Sequence, residues 1–456
     1  MPLDTAYADF LAQKRPAAQA VGLDRVPDLH RDLMPHQRDC VAFGLRQGRF
    51  GLFLDTGLGK TFCQLEWANH ALEASNGKAL ILAPLAVAAQ IVREGKARGY
   101  EVRQIREQAD AREGINVCNY DRLDRIDVSA FGAVSLDESS ILKSFTGKTT
   151  RALIDAFRFH RFRAAATATP APNDHMELGQ HAEFLGVMPS NEMLMRWFIA
   201  DQTEMGRYRL KGHAQDSFWD WMSSWCRMAE TPADFGYDGS AYILPPLNVH
   251  RHKAAGDIRA PAGLLFAGDL SATTLHETKR QTADARAKAI AALMPKGEAC
   301  VVWCDTDYEA DAIRAEIPEI KEVRGSHPIE RKEETLEAFA SGQVQWLLTK
   351  PSVAGFGMNW QHCATMVFAG RSFSYEAWYQ AVRRCWRFGQ KRPVDCHLIV
   401  AEGEDQIGRV IDRKSGDHQK MKQAMSAAMR RAMAQDAGVR VPYQPMHKGE
   451  FASWIS

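Results

Sequence analysis

The run Asp55-Thr56-Gly57-Leu58-Gly59-Lys60-Thr61 has the residue types and order needed to hold a polyphosphate. Its two glycines let the backbone N–H groups of Thr56, Gly57, Leu58 and Gly59 turn inward on phosphate oxygens. A helix beginning at Lys60 would aim its positive end at the same point. Lys60 can then reach the outer phosphates, and the Thr61 hydroxyl can ligate Mg²⁺. The strict pattern G-x-x-x-x-G-K-[ST] is not met, because Leu54 stands at its first glycine.

Binding a polyphosphate is not cutting it, and other residues have the chemistry for the second task. Asp137-Glu138 follows the apolar run Ala133-Val134-Ser135-Leu136. Adjacent carboxylates at the end of a buried strand are costly unless a cation or a protic group meets them. Asp137 could hold Mg²⁺ through water, and Glu138 could orient and deprotonate an attacking water. An acidic first turn of a helix would explain the same pair. Arg384 and Arg387 lie three apart in residues 380–390, where the pattern predicts a helix, so they would share a face and suit the charge of a phosphoryl group in transfer. Gln37 carries donor and acceptor on one amide, which matches the adenine edge. Thr167 and Thr169 close another strand and suit either a relay to the nucleotide or a plain turn.

For nucleic acid the candidates are Lys143, which could equally pair with the carboxylates, and the cluster Arg207, Arg209 and Lys211 near Tyr208 and several tryptophans. Packing between helices is the commoner use of Trp197, Trp219, Trp221 and Trp225. Met421, Met425, Met429 and Met433 recur every fourth residue and read as a core or docking stripe.

These groups need a scaffold, and the apolar pattern supplies one. Short buried runs at 50–54, 79–83, 115–120, 133–136 and 163–167 alternate with helical or loop pattern. A second series runs through 300–303, 346–349, 365–368 and 397–400. Such alternation predicts α/β architecture with parallel sheets covered on both faces, whose ligands sit at the carboxyl ends of the strands. The expected divisions are a lead-in over 1–28, a first lobe over 29–185, a helical insertion or linker over 186–285, a second lobe over 286–405 and a helical tail over 406–456. At 456 residues the chain is too long for one ordinary core. Its net charge of +1 excludes a globally basic nucleic-acid coat, though a local stripe of donors would suffice. Nine scattered cysteines lack zinc-site spacing and read as reduced, buried thiols, and no signal peptide or membrane span is evident. A cytoplasmic address, in a bacterial cytosol or nucleoid, is expected.

In this order the segments resemble superfamily-two helicases, and most closely the compact Snf-type, chromatin-remodeller-like branch with its short phage and bacterial members. The resemblance covers about residues 30–180 and 298–405. It implies two RecA-like lobes using ATP and Mg²⁺, with Gln37 reading adenine, Asp55 to Thr61 as motif I, Asp137-Glu138 as motif II and Thr167 to Pro170 as motif III. In the second lobe, Gly355 to Asn359, including Gly357 at the nucleotide, resemble motif V, and residues 380–390 motif VI. Arg387 then resembles the arginine finger, with Arg384 its companion. Motif II reads Asp-Glu-Ser-Ser where the family often ends Ala-His, and Trp386 stands where histidine is frequent. The expected activity is ATP-driven movement along DNA, duplex favoured over single strands. The alternatives are an RNA-directed helicase and a nucleotide-gated adaptor that does not travel.

Overall fold

Strands that are buried on both faces must be apolar nearly throughout, and here such runs assemble into two all-parallel sheets. The computed structural model describes residues 17–144, 147–200, 208–254, 272–354, 359–401 and 404–434. They fall into two compact units. One holds residues up to 83, 94–237 and those from 420 onward, and the other holds 84–93 and 238–419.

The first unit contains β1 (Arg49–Leu54), β2 (Lys78–Ala83), β3 (Val102–Gln104), β4 (Gly114–Asn119), β5 (Ala133–Asp137), β6 (Phe162–Ala166) and β9 (Cys226–Ala229), in the order β3-β4-β2-β5-β6-β1-β9. Leu80, Ile81 and Leu82 at its centre are completely buried. The registers bring three carboxyl ends level: Leu52 of β1 and Asp137 of β5 both stand beside Ala166 of β6. A short antiparallel hairpin, β7 (Phe198–Ala200) with β8 (Tyr208–Leu210), stands apart from this sheet.

The second unit contains β10 (Leu247–Lys253), β11 (Cys300–Trp303), β12 (Lys321–Val323), β13 (Trp346–Thr349), β14 (Thr365–Phe368) and β15 (Val394–Val400), in the order β10-β15-β14-β11-β13-β12. Its core packs Trp303 against Trp360 and Phe368, all buried. The α/β reading with two RecA-like parallel-sheet lobes is therefore the observed architecture.

The segment 186–285, expected as a helical insertion or linker, contributes strands as well as helices. β9 adds to the free side of β1, with Gly51 beside Cys226 and Leu54 beside Ala229, and β10 pairs along its whole length with β15. The signal in β9 is weak because its four residues include Arg227, whose guanidinium carbon lies 3.4 Å from the Phe43 ring centroid and is buried there. The tryptophans are packing residues. Trp197 and Trp221 stack with centroids 4.7 Å apart, Trp221 meets Trp225 at 5.4 Å, and Trp219 is buried with them. Met421, Met425 and Met429 on the last helix (Asp405–Ala434) are fully buried, the first two in the core of the first unit, whereas Met433 is 38% exposed. All nine cysteines are buried and unpaired as disulfides.

One local expectation fails. The helix expected across residues 380–390 is Tyr375–Cys385, so Arg387 lies beyond its end and does not share a helical face with Arg384. The chain bends at Trp386 (φ −90°, ψ 81°), whose indole N–H is drawn to the Pro245 carbonyl at 2.7 Å, and Gly389 takes φ +92° two residues after Arg387. Tertiary hydrogen bonding thus overrides the helical pattern.

Candidate nucleotide site

β1 ends at Leu54 and the helix Lys60–Glu73 begins six residues later. The loop between them turns on Gly57 (φ +94°) and Gly59 (φ +81°), a left-handed backbone that side chains with a Cβ disfavour. At Gly59 an added Cβ would also fall 2.2 Å from the Gln37 amide nitrogen. Gly59 stands at the N-cap of the helix and, having no side chain, makes no side-chain cap. That is the cradle expected of a phosphate loop.

Lys60 arches back over this loop, its ammonium donating to the Leu54 carbonyl at 2.8 Å and reaching the Asp55 carbonyl at 3.4 Å. Asp55 is 6% exposed, and one of its oxygens accepts from the Thr56 backbone N–H at 2.6 Å and its hydroxyl at 3.3 Å. Leu58 is fully buried beneath the loop. Thr61 sits in the first turn of the helix, half-buried. Gln37, in the helix Pro35–Gln47, donates to the Leu58 carbonyl at 3.1 Å and accepts from the Met34 N–H at 3.0 Å. Its amide thus ties the preceding helix to the loop.

The second strand end brings the carboxylates. Asp137 is 5% exposed, and burial raises its carboxyl above the usual range, opposed by a 2.7 Å hydrogen bond from the Gln64 amide and by the charge of Lys60. Gln64 is held in turn by Ser135, whose hydroxyl donates to it at 2.7 Å. Gln64 lies on the helix that the phosphate loop starts, so one side chain couples the two strand ends. Glu138 has φ +51°, and among the described residues no other residue besides glycine has positive φ. Such strain at a chemically competent residue is a mark of functional sites. The Thr167 hydroxyl donates to the Glu138 carboxylate at 3.4 Å, and the Thr167 N–H reaches the Leu52 carbonyl at 3.2 Å. Thr169 donates its N–H to the Thr167 hydroxyl at 3.1 Å.

Behind the carboxylates sits a residue the sequence did not single out. His181, in the helix Leu178–Leu185, is fully buried, with Nε2 3.1 Å from the Ser139 hydroxyl and Nδ1 3.4 Å from the Glu177 carbonyl. Burial pushes its imidazole down to about 4, so it is neutral at ordinary pH. Phe53 of β1 meets it edge-on at 5.2 Å.

The second unit holds the arginines. Arg384 is 3% exposed in the last turn of its helix, with Nε donating to the Gln380 carbonyl at 3.2 Å and Nη2 to the Gln380 amide oxygen at 3.0 Å. Arg387 is half-buried in the turn that follows. Of the nucleic-acid candidates, Lys143 is exposed at the end of a short turn after Asp137-Glu138, and Arg209 is exposed on β8. The Lys211 ammonium donates to the Met195 and Arg196 carbonyls at 3.0 and 3.1 Å, closing the end of the helix Ser190–Trp197. Arg207 and Gly357 lie outside the described residues. No group of three His, Cys, Asp or Glu side chains fit to hold a metal occurs among the described residues.

Residues 285–389 match the model of the helicase conserved C-terminal domain family. Dbp5 of S. cerevisiae, in a structure bound to RNA and ADP BeF3, aligns over 87% of this chain and 93% of its own, with a TM-score of 0.56 and 12% identity. The chain is similar to superfamily-two helicases. No curated protein matches it. At that identity the likeness to Dbp5 shows the fold, and the helicase domain match covers most of the second lobe. No helix among the described residues is long and apolar enough to cross a membrane.

Proposed function

We propose that this protein is a nucleic-acid-dependent ATPase that moves along its nucleic acid. The observation that carries the reading is the convergence, at the level carboxyl ends of β1, β5 and β6, of the phosphate loop with Lys60, the Asp137-Glu138 pair and Thr167. A loop of positive-φ glycines and a helix start with no side-chain cap fit a triphosphate, and a buried carboxylate beside Thr61's helix fits a hard cation. Mg²⁺ would be held by Thr61 and Asp137, and when bound it neutralises charge on the phosphate oxygens.

The chain's own residues then divide the work. Thr56, Gly57, Leu58 and Gly59 grip the phosphates with backbone N–H groups, Lys60 moves from the Leu54 carbonyl to the outer phosphate, and Gln37 holds the loop and the adenine side. Glu138 orients the attacking water and takes its proton, with Thr167 reporting on its position. Arg384 and Arg387 of the second lobe stabilise charge on the phosphoryl group in transfer. Gly357, outside the described residues, is assigned to the nucleotide by the motif resemblance alone. Binding and hydrolysis would alternately bring the lobes' grips together and release them, which converts turnover into movement.

Duplex DNA as the track, the Snf-type branch and a phage setting rest on the motif resemblance, and a bacterial cytoplasmic address on the cysteines read as reduced thiols. RNA is the second reading, favoured by the RNA in the Dbp5 structure. Lys143, Arg207, Arg209 and Lys211 are the proposed phosphate contacts, of which Lys211 is already engaged with backbone carbonyls. Measuring ATP hydrolysis with duplex DNA, single-stranded DNA and RNA decides between them. Stimulation by duplex DNA above the other two supports the first reading, stimulation by RNA alone replaces it with the second, and no stimulation by any overturns the motor. A nucleotide-gated adaptor would bind ATP and fail to displace a bound third strand.

A further inference from the structure

The helix Asp405–Ala434 meets Asp55, at the start of the proposed phosphate loop, through a mid-helix side chain that the nucleotide reading does not use. Lys422 is only 6% exposed, and its ammonium lies 3.0 Å from the Glu230 carboxylate and 3.5 Å from that of Asp55. Asp55 is the residue between β1 and the loop glycines. One of its oxygens faces Lys422, while the other holds the Thr56 N–H and hydroxyl. Its backbone N–H is fixed to the Ala229 carbonyl at 2.9 Å, and its carbonyl meets Lys60. The Asp55 carboxylate is therefore a bridge from the tail helix to the first amide of the loop.

The docking of that helix is specific on two faces. Met421 and Met425 enter the core, and Lys422, Ser426 and Arg430, each four residues on, form a polar ladder. Ser426 donates to the Asp234 carboxylate at 2.7 Å, and Arg430 donates to the Ala233 carbonyl at 3.2 Å. Arg431 pairs with Asp220 at 2.8 Å. A buried lysine is costly unless ion-paired, and here two carboxylates meet it, Asp55 directly after β1 and Glu230 directly after β9.

We propose that Lys422 is a positioning residue for the nucleotide site, holding Asp55 so that the Thr56–Lys60 loop is set before ATP arrives. The inference rests on the proposed nucleotide role of that loop. Loosening the loop taxes ground state and transition state alike, so the effect falls on KM and not on kcat.

The test compares wild type, Lys422→Gln, Lys422→Arg, Asp55→Asn and the Lys422→Gln/Asp55→Asn pair, measuring ATPase kinetics, affinity for a fluorescent ATP analogue and thermal unfolding. Lys422→Gln is expected to raise KM for ATP about tenfold with kcat within about twofold of wild type, and Lys422→Arg to recover most of the loss. The double variant should be no worse than the more damaging single one, because both remove the same link. A lowered unfolding temperature with KM unchanged in the folded protein would assign Lys422 a purely structural role and overturn the proposal. If Lys422→Gln does not fold, Asp55→Asn carries the test from the loop side, and an unchanged KM there overturns it equally. A wild-type chain that binds no ATP overturns both this inference and the proposed function, whereas ATP bound equally by wild type and Lys422→Gln overturns this inference alone.

Discussion

The two sheets have the same strand order with different residues at the same places. Reading β3-β4-β2-β5-β6-β1 beside β12-β13-β11-β14-β15-β10, each strand of the first has a partner of equal rank in the second. β1 corresponds to β10, yet β1 is buried over its last five residues and β10 is mostly exposed. The cause is β9, which covers the outer side of β1 and makes it an inner strand, while among the described residues β10 is an edge. β1 ends in the loop that carries Gly57 and Gly59, whereas β10 reads Asn248-Val249-His250-Arg251-His252-Lys253, as suits a solvent-facing edge.

The acids divide likewise. β5 delivers Asp137 and Glu138, while its counterpart β14 is followed by Ala369, Gly370 and Arg371, whose guanidinium stands 5.2 Å over the Trp378 ring. After β11, the counterpart of β2, the next helix is closed by its own chain. The Glu309 carboxylate accepts from the Asp305 and Thr306 N–H groups at 2.9 and 3.0 Å. A duplicated scaffold thus carries acids at this strand end in one lobe and an arginine at the corresponding strand end in the other.

That contrast can be broken by mutation. The largest effect is expected from Arg387→Ala, which should lower kcat on the order of 10³-fold while nucleotide affinity holds, as removal of a finger does in related chemistry. Wild-type turnover in that variant would remove the second lobe from the reaction. Glu138→Gln should cost about 10²-fold or more in kcat, read in single-turnover hydrolysis, with ATP still bound.

Smaller effects test the first lobe's construction. Gly59→Ala must adopt φ +81° and displace the Gln37 amide, so denaturant unfolding should show a loss of about 1–2 kcal/mol or more, accompanied by weaker ATP binding. His181 gives a pH signature. Its folded value is about 4 against 6.5 when exposed, so between these limits the unfolded chain binds the proton and the folded chain does not. Its contribution is complete above pH 6.5 and falls by up to about 1.4 kcal/mol per pH unit toward pH 4. Comparing wild type with His181→Asn by urea unfolding at several pH values should show the wild type losing stability faster over that window. Equal slopes would place the histidine in contact with water. Lys211→Ala should cost no more than about 1 kcal/mol, the worth of a cation at a helix end.

Much of the scaffold was legible because fully buried parallel strands leave an unambiguous apolar run. β11, β13 and β14 occupy the residues expected, and β1, β2, β4, β5 and β6 differ only at their ends. β3, β7 to β10 and β12 were not anticipated. All but β10 have only three or four residues, too short a pattern, β9 conceals a buried arginine, and β10 is mostly exposed and so lacks an apolar run. In the candidate site the phosphate loop and carboxylate pair were visible from residue type and spacing. Gln64, His181 and Lys422 were not, because a glutamine, a histidine and a lysine on helices look like any others until the fold shows what they touch.

By itself the sequence determined the two series of apolar strands, the glycines that permit a left-handed loop before Lys60 and the acids at the end of β5. These are local properties, set by side-chain volume, Cβ sterics and polarity. Tertiary structure alone decided that the helix stops before Arg387, that β9 buries β1, that Gln64 ties Asp137 to the loop helix and that Lys422 returns from the chain's far end to Asp55. Each depends on a partner distant in sequence, and no local pattern encodes which one it will be.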